Sequence, residues 1–445
     1  MRIKLGIPYM LSEIATAASG QLNQEDRLIT HITTDTRQAS RNDLFIAING
    51  GEEYLNEALR IGAFVLSEKT SSTIVVDNSS DALLDFAKFY TQNLPYILYK
   101  IGITGSVGKT TTKEFLRIIL SERYKVHANE GNYNNALGLP MSILSAPQDT
   151  QVLVMEMGMN HEGEIKKLSD CLQPDIALIT NIGTSHIGNL GSVEAIARAK
   201  LEITFGMSGG QLFLPYGNRL LSEYQGGLTV STHSLDADYT LITQDSFASL
   251  FSAGEEIYTA HFHFSDKAHS QALGFSSAIA AYLGLSDDEI KKGVASISGE
   301  NTRQKLVLRD NFRFLVDCYN SSYESVIALI DIAEHQYKQE KKSILLGDIL
   351  ELGDYSEAIH IALGLAISKY NFSKIFLIGK YAKNVMQGAV SGGFSDQRIF
   401  INEDATRYDL TANQIKSHCD TGEMILMKAS RKIRLDRILE YFTRG

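Results

Sequence analysis

The chain has 445 residues, of which 44% are hydrophobic and 21% charged, and its formal net charge at pH 7 is -10. This length predicts about three domains of roughly 150 residues each, and the composition excludes a long disordered tract. The acidic balance argues against general binding to nucleic acid, and no apolar run is long enough to span a membrane. The amino terminus does not resemble a signal peptide, so we expect a cytoplasmic protein without a nucleic-acid partner.

The first predicted domain, residues 1–96, alternates short apolar runs with helix-compatible stretches. Residues 44–48 and 73–76 are apolar runs of strand length, and residues 82–90 fit a helix. This alternation predicts a small α/β domain.

The second predicted domain, residues 97–300, opens with a buried-strand pattern that leads directly into a glycine-rich loop. A helix is predicted from 111 to 120, and further strands at 152–155 and 176–180 are separated by helix-compatible stretches. Strands that alternate with helices in this way predict parallel βαβ connections.

The glycine-rich loop, residues 104–111, reads Thr-Gly-Ser-Val-Gly-Lys-Thr-Thr and departs from the standard Walker spacing because Ile103 stands five positions before Gly108. Its glycines would let backbone N–H groups surround phosphate oxygens at the start of a helix. Lys109 would reach the terminal phosphates, and the Thr110 hydroxyl suits Mg²⁺. An ordinary turn is the competing interpretation, which the preceding strand and the following helix disfavour.

Glu156 and His186 follow two predicted strands of this domain. The carboxyl ends of parallel strands meet at one edge of a sheet, where α/β proteins bind ligands. A carboxylate at that edge suits Mg²⁺ beside a triphosphate, and a solvated strand-end acid is the alternative. A lone histidine is usually structural or solvated, so His186 is a candidate through its position alone.

Lys200 occupies an inward position on a predicted helix, in line with the apolar residues Val193, Ile196, Ala197 and Leu201. Three explanations are open: the side chain extends past its neighbours to water, its ammonium meets an anion, or CO₂ carbamylates it to give an anionic oxygen ligand. The sequence alone favours the first.

The third predicted domain, residues 301–445, repeats the α/β alternation. Strands are predicted at 313–316, 343–346, 375–378 and 424–427, with a helix after the first of them. The pattern predicts a second doubly wound α/β domain.

These runs resemble, in order and spacing, the motifs of the Mur ligase family, and the likeness spans nearly the whole chain. The runs 156–160 and 347–353 are similar to those of members that add D-alanyl-D-alanine. The matching stretches are residues 34–37, 43–47, 104–111, 131–135, 138–140, 156–160, 163–165, 180–183, His186, 199–203, 317–320, 346–353, His360 and 428–431.

The resemblance implies a three-domain α/β ligase with a small UDP-substrate-binding domain, a central P-loop ATPase-like parallel sheet and a C-terminal Rossmann-like domain. It implies that ATP phosphorylates a substrate carboxylate and that an amine attacks the acyl phosphate to form an amide. The implied substrates are UDP-N-acetylmuramoyl-tripeptide and D-alanyl-D-alanine, and the implied cofactors are ATP and two Mg²⁺ ions. We expect a monomer.

The resemblance also implies roles for individual residues. Thr110 and Glu156 would hold the nucleotide magnesium, and His186 and carbamylated Lys200 would help to hold a second ion. Lys109 would act in catalysis together with Glu156, His186 and Lys200. The nucleotide would be bound by Gly105, Ser106, Val107, Gly108, Lys109, Thr110, Thr111, Asn135, Arg303 and Asp317.

Three stretches depart from the family pattern. Residues 50–54 lack the usual Asp-Gly-His turn, so recognition of a UDP-sugar is expected to differ. Residues 267–273 lack two expected asparagines, so the contacts to adenine are expected to differ. Residues 319–323 read Tyr-Asn-Ser-Ser-Tyr in place of Tyr-Asn-Ala-Asn-Pro. A diverged amide ligase with other substrates is therefore one alternative. A non-catalytic nucleotide-binding regulator is another, and the retained metal and carbamate set argues against it.

Overall fold

The computed structural model describes residues 1–222, 224–264, 266–299 and 304–443. Within these residues the chain forms three β-sheets, one after another along the sequence. The predicted α/β class with three sheet-containing domains is confirmed, whereas the boundaries between the domains stay a prediction.

The first sheet lies within residues 1–96, all of which are described, and its strand order is β1-β3-β4-β5-β6-β2. Its core from β3 to β6 is parallel, and the two outer strands run antiparallel to their neighbours. The strands are β1 (Arg2–Met10), β2 (Gln21–Leu22), β3 (Leu28–Thr33), β4 (Leu44–Ile46), β5 (Phe64–Ser67) and β6 (Ile74–Val75), and the helices are α1 (Leu11–Ala17), α2 (Leu55–Ile61) and α3 (Ser79–Gln92).

The second sheet contains nine described strands in the order β15-β14-β13-β12-β11-β10-β7-β9-β8. The strands are β7 (Tyr99–Thr104), β8 (Val126–Ala128), β9 (Val152–Glu156), β10 (Ile176–Ile179), β11 (Gln211–Pro215), β12 (Leu228–Ser231), β13 (Tyr239–Gln244), β14 (Phe247–Ser252) and β15 (Glu255–His261). The helices are α4 (Lys109–Leu120), α5 (Gly138–Leu144), α6 (Glu164–Leu172), α7 (Ile187–Leu190), α8 (Val193–Leu201), α9 (Lys267–Tyr282) and α10 (Asp287–Ala295).

Parallel pairing extends from β8 to β13. This confirms the parallel arrangement predicted for β7, β9 and β10, whereas β8, β11, β12 and β13 were not predicted. Every residue of β9 and β10 is buried, which is the pattern of strands covered on both faces. The last two strands, β14 and β15, extend the sheet as an antiparallel hairpin that the sequence analysis did not predict.

The third sheet has six described strands in the order β16-β17-β21-β18-β19-β20, and only the edge strand β16 is antiparallel to its neighbour. The strands are β16 (Lys305–Arg309), β17 (Phe312–Asp317), β18 (Lys342–Gly347), β19 (Ile375–Ile378), β20 (Ile399–Asn402) and β21 (Met424–Lys428), and the helices are α11 (Tyr323–Gln336), α12 (Ser356–Ile367), α13 (Ala382–Ser391) and α14 (Tyr408–His418).

The domains pack against one another through apolar and polar contacts. Helix α3 of the first domain lies against α5 and α6 of the second, and the Tyr90 hydroxyl donates to the Ala146 carbonyl at 2.6 Å. A single cluster of buried apolar side chains includes members of all three domains. Among the described helices, none combines the length and the apolar character needed to cross a membrane.

Candidate active site

A cavity of about 1070 Å³ lies between the second and third domains. Residues from the carboxyl ends of β7, β9 and β10 form one wall, and residues that follow β17, β18 and β21 form the other. All but one of the site residues predicted from the sequence line this cavity: Gly105, Ser106, Val107, Gly108, Lys109, Thr110, Thr111, Asn135, Glu156, His186, Lys200 and Asp317. The exception, Arg303, lies outside the described residues.

The glycine-rich loop joins β7 to α4 and has the backbone conformation that its glycines permit. Gly105 has φ 149° and Gly108 has φ 86°, both in the region that side-chain-bearing residues rarely occupy. A Cβ atom at Gly105 would lie 1.9 Å from Thr180 Oγ1. The close approach of this loop to β10 therefore requires glycine.

Thr180 and Asn181, which follow β10, hold the loop in place. Asn181 Oδ1 accepts from the main-chain N–H groups of Ser106 (3.0 Å) and Val107 (2.9 Å). Thr180 Oγ1 donates to the Val107 carbonyl at 2.6 Å. These three hydrogen bonds tie the loop to the segment that follows the neighbouring strand β10.

Lys109 and Thr110 lie in the first turn of α4, directly after Gly108 of the glycine-rich loop. Lys109 Nζ donates to the Gly105 carbonyl at 2.7 Å and lies 3.4 Å from the Ser106 carbonyl. The Thr110 hydroxyl donates to Glu156 Oε2 at 2.6 Å. A cation, a hydroxyl and a carboxylate therefore meet at the start of a helix, where the helix dipole favours anions.

Glu156 is the last residue of β9 and is almost completely buried, with 1% of its surface exposed. Its Oε1 accepts from Asn134 Nδ2 at 2.8 Å, and its main-chain N–H and carbonyl both bond to the Asn129 side chain. A buried carboxylate is costly unless it is hydrogen-bonded or binds a cation. The Thr110 hydroxyl and the Asn134 amide both donate to this buried carboxylate, and its oxygens are of the hard type that Mg²⁺ prefers.

Asn135 lines the cavity beside this carboxylate, but its side chain also has a structural contact. Its Oδ1 accepts from the N–H groups of Leu137 (3.2 Å) and Gly138 (2.8 Å) at the start of α5. Such a contact satisfies main-chain donors that the helix cannot pair internally.

His186 has a left-handed backbone conformation, φ 65°, and faces the third domain. Its Nδ1 lies 2.7 Å from Glu351 Oε2, an ion-pair distance. The contact with His186 lowers the pKa of Glu351 below its usual range. Gly188 N also donates to the Glu351 carbonyl at 3.0 Å, so this segment contacts the other wall of the cavity directly.

Lys200 points inward from α8 and is 2% exposed, which confirms the inward position predicted from the apolar stripe. Burial, and next the positive charge of Lys109, lower the pKa of Lys200 well below its ordinary value. The explanation in which the ammonium extends to water does not fit this degree of burial. Lys200 instead lines the cavity.

Asp317 ends β17 on the third-domain wall. The Lys428 ammonium donates to Asp317 Oδ2 at 2.8 Å and to the Asn320 carbonyl at 2.9 Å. Since Lys428 ends the adjacent strand β21, the pair links the carboxyl ends of two parallel strands. This is the place where a doubly wound sheet binds ligands.

Comparison with known proteins agrees with this geometry. The family model described as "Mur ligase middle domain" matches residues 103–278. The UDP-N-acetylmuramoyl-tripeptide--D-alanyl-D-alanine ligase of Bacillus subtilis (strain 168) is 33% identical over 454 residues, which covers 98% of this chain and 98% of that protein. The chain belongs to the Mur ligase family.

Further relatives and solved structures extend the likeness to other Mur ligases. The protein of the same name from Rickettsia prowazekii (strain Madrid E) is 29% identical over 92% of this chain and 94% of its own. A crystal structure of MurF from Acinetobacter baumannii has a TM-score of 0.86 at 26% identity and covers 99% of both chains. MurF from Thermotoga maritima, solved in complex with ADP, shares the fold with a TM-score of 0.79 at 24% identity, over 92% of this chain and 96% of that one.

The departures from the family pattern have clear structural positions in this Mur ligase. Residues Gly51–Tyr54 form a short 3₁₀ helix after Gly50, which has φ 84°. In the stretch 267–273, His269 is buried, bonds to Asp266 Oδ2 at 2.6 Å and stacks on Phe115 at 6.0 Å between ring centroids. His269 is therefore a packed core residue that also lines the cavity.

Four residues that hold the site in place in this Mur ligase were not assigned a role from the sequence. Asn129 and Asn134 contact Glu156, and Glu351 contacts His186. Glu324 of α11 accepts from the main-chain N–H of Thr184 (2.7 Å) and from its hydroxyl (3.1 Å). The matched runs 131–135 and 347–353 were the available signal for Asn134 and Glu351, whereas no signal pointed to Asn129 or Glu324.

Proposed function

We propose that this protein is an ATP-dependent ligase that joins D-alanyl-D-alanine to UDP-N-acetylmuramoyl-tripeptide in the synthesis of peptidoglycan precursors. The observation that carries the proposal is the convergence, in one cavity, of the phosphate loop, the Thr110–Glu156 pair, His186 and Lys200. The names of relatives that match over nearly the full length supply the substrates.

The phosphates of ATP would bind at the loop between β7 and α4. The N–H groups at the start of α4 and the Lys109 ammonium provide positive potential there, and the loop is already ordered by Asn181. Lys109 would exchange its contact with the Gly105 carbonyl for the terminal phosphates. From the third domain, Asp317 would accept hydrogen bonds from the ribose hydroxyls, with its carboxylate held by Lys428.

The residues around Glu156 fit a magnesium ion. Thr110 and Glu156 offer hard oxygen ligands 2.6 Å apart, and His186 and Lys200 lie in the same cavity wall. No three His, Cys, Asp or Glu side chains converge in the part of the chain that the structure describes, so phosphate and water oxygens would complete the coordination, as is usual for Mg²⁺. When bound, the ion neutralises phosphate charge and polarises the transferred phosphoryl group.

Lys200 would act as its carbamate. A neutral amine is required, because its nitrogen lone pair forms the bond to the carbon of CO₂ while the nitrogen releases one proton. The lowered pKa of Lys200 favours that neutral form. The resulting carboxylate would place a negative charge near the Lys109 ammonium, and its oxygens would serve as ligands for a second Mg²⁺ together with His186.

The reaction then needs two displacements, the first at the γ-phosphorus of ATP and the second at the carbonyl carbon of the substrate. A carboxylate oxygen attacks the γ-phosphorus and the bond to ADP breaks. The amine of D-alanyl-D-alanine next attacks the carbonyl carbon, and the tetrahedral intermediate expels phosphate as the nitrogen loses a proton. Lys109 would offset the repulsion between the carboxylate and the γ-phosphate.

Phosphate release tests the proposal most simply. Release from ATP is expected only when UDP-N-acetylmuramoyl-tripeptide and D-alanyl-D-alanine are both present, and to stop when either is omitted. Turnover only with other amines or carboxylates would favour a diverged ligase, and the altered stretch 50–54 is the observation behind that alternative. ATP binding without turnover in any mixture would favour the alternative that the protein is a non-catalytic nucleotide-binding regulator.

A further inference from the structure

Lys113 is a buried cation on α4, one helical turn beyond Thr110, that the mechanism above does not use. It is 1% exposed, its Nζ donates to the main-chain carbonyl of Asn129 and it lies 3.1 Å from Glu114 Oε1. Burying an ammonium is strongly unfavourable unless its partners compensate for the lost hydration. A lysine at this position therefore calls for an explanation beyond filling space.

The partner of Lys113, Asn129, is attached to the main chain of Glu156. Asn129 Oδ1 accepts from Glu156 N at 2.9 Å, and Asn129 Nδ2 donates to Glu156 O at 3.0 Å and to Tyr133 O at 2.7 Å. The pairing of β8 with β9 ends at Ala128 and Val154. The Asn129 side chain thus continues the hydrogen bonding of the sheet edge up to the residue that carries the carboxylate.

Helix α4 consequently holds Glu156 in two ways. Thr110 contacts the carboxylate of Glu156 directly, at 2.6 Å, and Lys113 contacts the residue that fixes its main chain. Both side chains belong to the helix that begins at the phosphate loop. The relative position of the phosphate loop and the carboxylate therefore depends on this helix.

We propose that Lys113 and Asn129 are positioning residues that set the Glu156 carboxylate for magnesium at the phosphate loop. The inference rests on the proposed function, because it concerns the cation bound beside the nucleotide. The inference predicts that loss of Lys113 or Asn129 reduces only the part of the nucleotide affinity that depends on Mg²⁺. Nucleotide binding through the loop itself should persist without Lys113, since neither Lys113 nor Asn129 lines the cavity.

The test is the affinity for ADP, measured by calorimetry with Mg²⁺ and again in EDTA. In Lys113→Met, the gain in affinity that Mg²⁺ provides should fall at least tenfold, while the Kd in EDTA stays within about twofold of the wild-type value. Arg117→Met is the matched control, because Arg117 lies on the same helix and contacts the same Glu114 at 3.0 Å. Arg117→Met should retain the full gain in ADP affinity that Mg²⁺ provides.

Two more variants keep the test decisive if Lys113→Met does not fold. Lys113→Arg retains the cation and should keep part of the gain in ADP affinity that Mg²⁺ provides. In Asn129→Ser the side chain is too short to bond to both main-chain groups of Glu156, so that gain should be lost. An unchanged magnesium gain in folded Lys113→Met or Asn129→Ser would overturn this inference alone, as would an equal loss of affinity with and without Mg²⁺. Absence of ADP binding in the wild type would overturn the proposed function as well.

Discussion

Replacing Glu324 with alanine is expected to weaken the attachment of the third domain to the loop that carries His186. Glu324 is half-buried at the first turn of α11, and its carboxylate accepts from both the main-chain N–H and the hydroxyl of Thr184. Thr184 is two residues before His186. Without the carboxylate, the loop that carries His186 would lose these two hydrogen bonds to the third domain.

The expected magnitude follows from the two hydrogen bonds. A hydrogen bond to a charged group contributes about 1.5–3 kcal/mol, and because Glu324 is only half-buried we take that range for the pair together. Since about 1.4 kcal/mol corresponds to a factor of ten, we expect a decrease in kcat/KM of roughly 10- to 150-fold if turnover requires this contact.

A double-mutant cycle measures the contact itself. Glu324→Ala should cost less in a Thr184→Val background than in the wild type, with a coupling free energy of about 1 kcal/mol or more. Glu357→Ala, which removes an exposed carboxylate from the same domain, is the control and should leave kcat/KM unchanged. Strictly additive effects of the two substitutions, or full activity in Glu324→Ala, would refute the argument.

Three further outcomes are expected. Lys200→Ala should lose activity, and a short-chain carboxylic acid should restore part of it by replacing the carbamate oxygens; undiminished activity would remove Lys200 from the mechanism. Gly105→Ala should lower nucleotide affinity measured by calorimetry, because the new Cβ would lie 1.9 Å from Thr180 Oγ1 at a residue with φ 149°; wild-type affinity would contradict this. The hydrogen bond from Arg123 lowers the pKa of Glu289 from 4.5 to about 2, so its stabilisation is present above pH 4.5 and is lost as the pH falls toward 2. The Tm difference between wild type and Arg123→Gln should accordingly narrow from pH 6 to pH 3, and a constant difference would contradict the assignment.

The sequence predicted the nucleotide wall of the site because its residues stand at the ends of buried strands. Parallel strands place their carboxyl ends at one edge, so the loop after β7, Glu156 after β9 and His186 after β10 were expected to meet, and the structure places them in one cavity. The predicted helix began at residue 111, whereas α4 begins at Lys109. The difference arises because the glycine at 108 ends the loop and already caps the helix.

The contacts that orient these side chains could not be predicted from the sequence. Glu324 and Thr184 are 140 residues apart, and Glu351 reaches His186 from another domain. No periodic pattern relates positions so distant along the chain, since only the packing of the domains brings them together.

The antiparallel hairpin of β14 and β15 was missed for a different reason. The turn between these strands contains Ala253 and Gly254, both with positive φ, and that small-residue turn between two short alternating runs was the available signal. No strand was predicted between residue 180 and the end of the second domain, so this turn signal was not used, and β11, β12 and β13 were missed as well.

Transfer of oxygen isotope tests the central claim, ligation through an acyl phosphate, most directly. Both oxygens of the reacting carboxylate of UDP-N-acetylmuramoyl-tripeptide are labelled with ¹⁸O, and ATP and D-alanyl-D-alanine are added. Mass spectrometry should detect the elongated UDP-linked peptide and one ¹⁸O atom in each released phosphate. The label moves because the oxygen that attacks the γ-phosphorus leaves with the phosphate. Formation of the peptide with unlabelled phosphate, or phosphate release without peptide, would contradict the account.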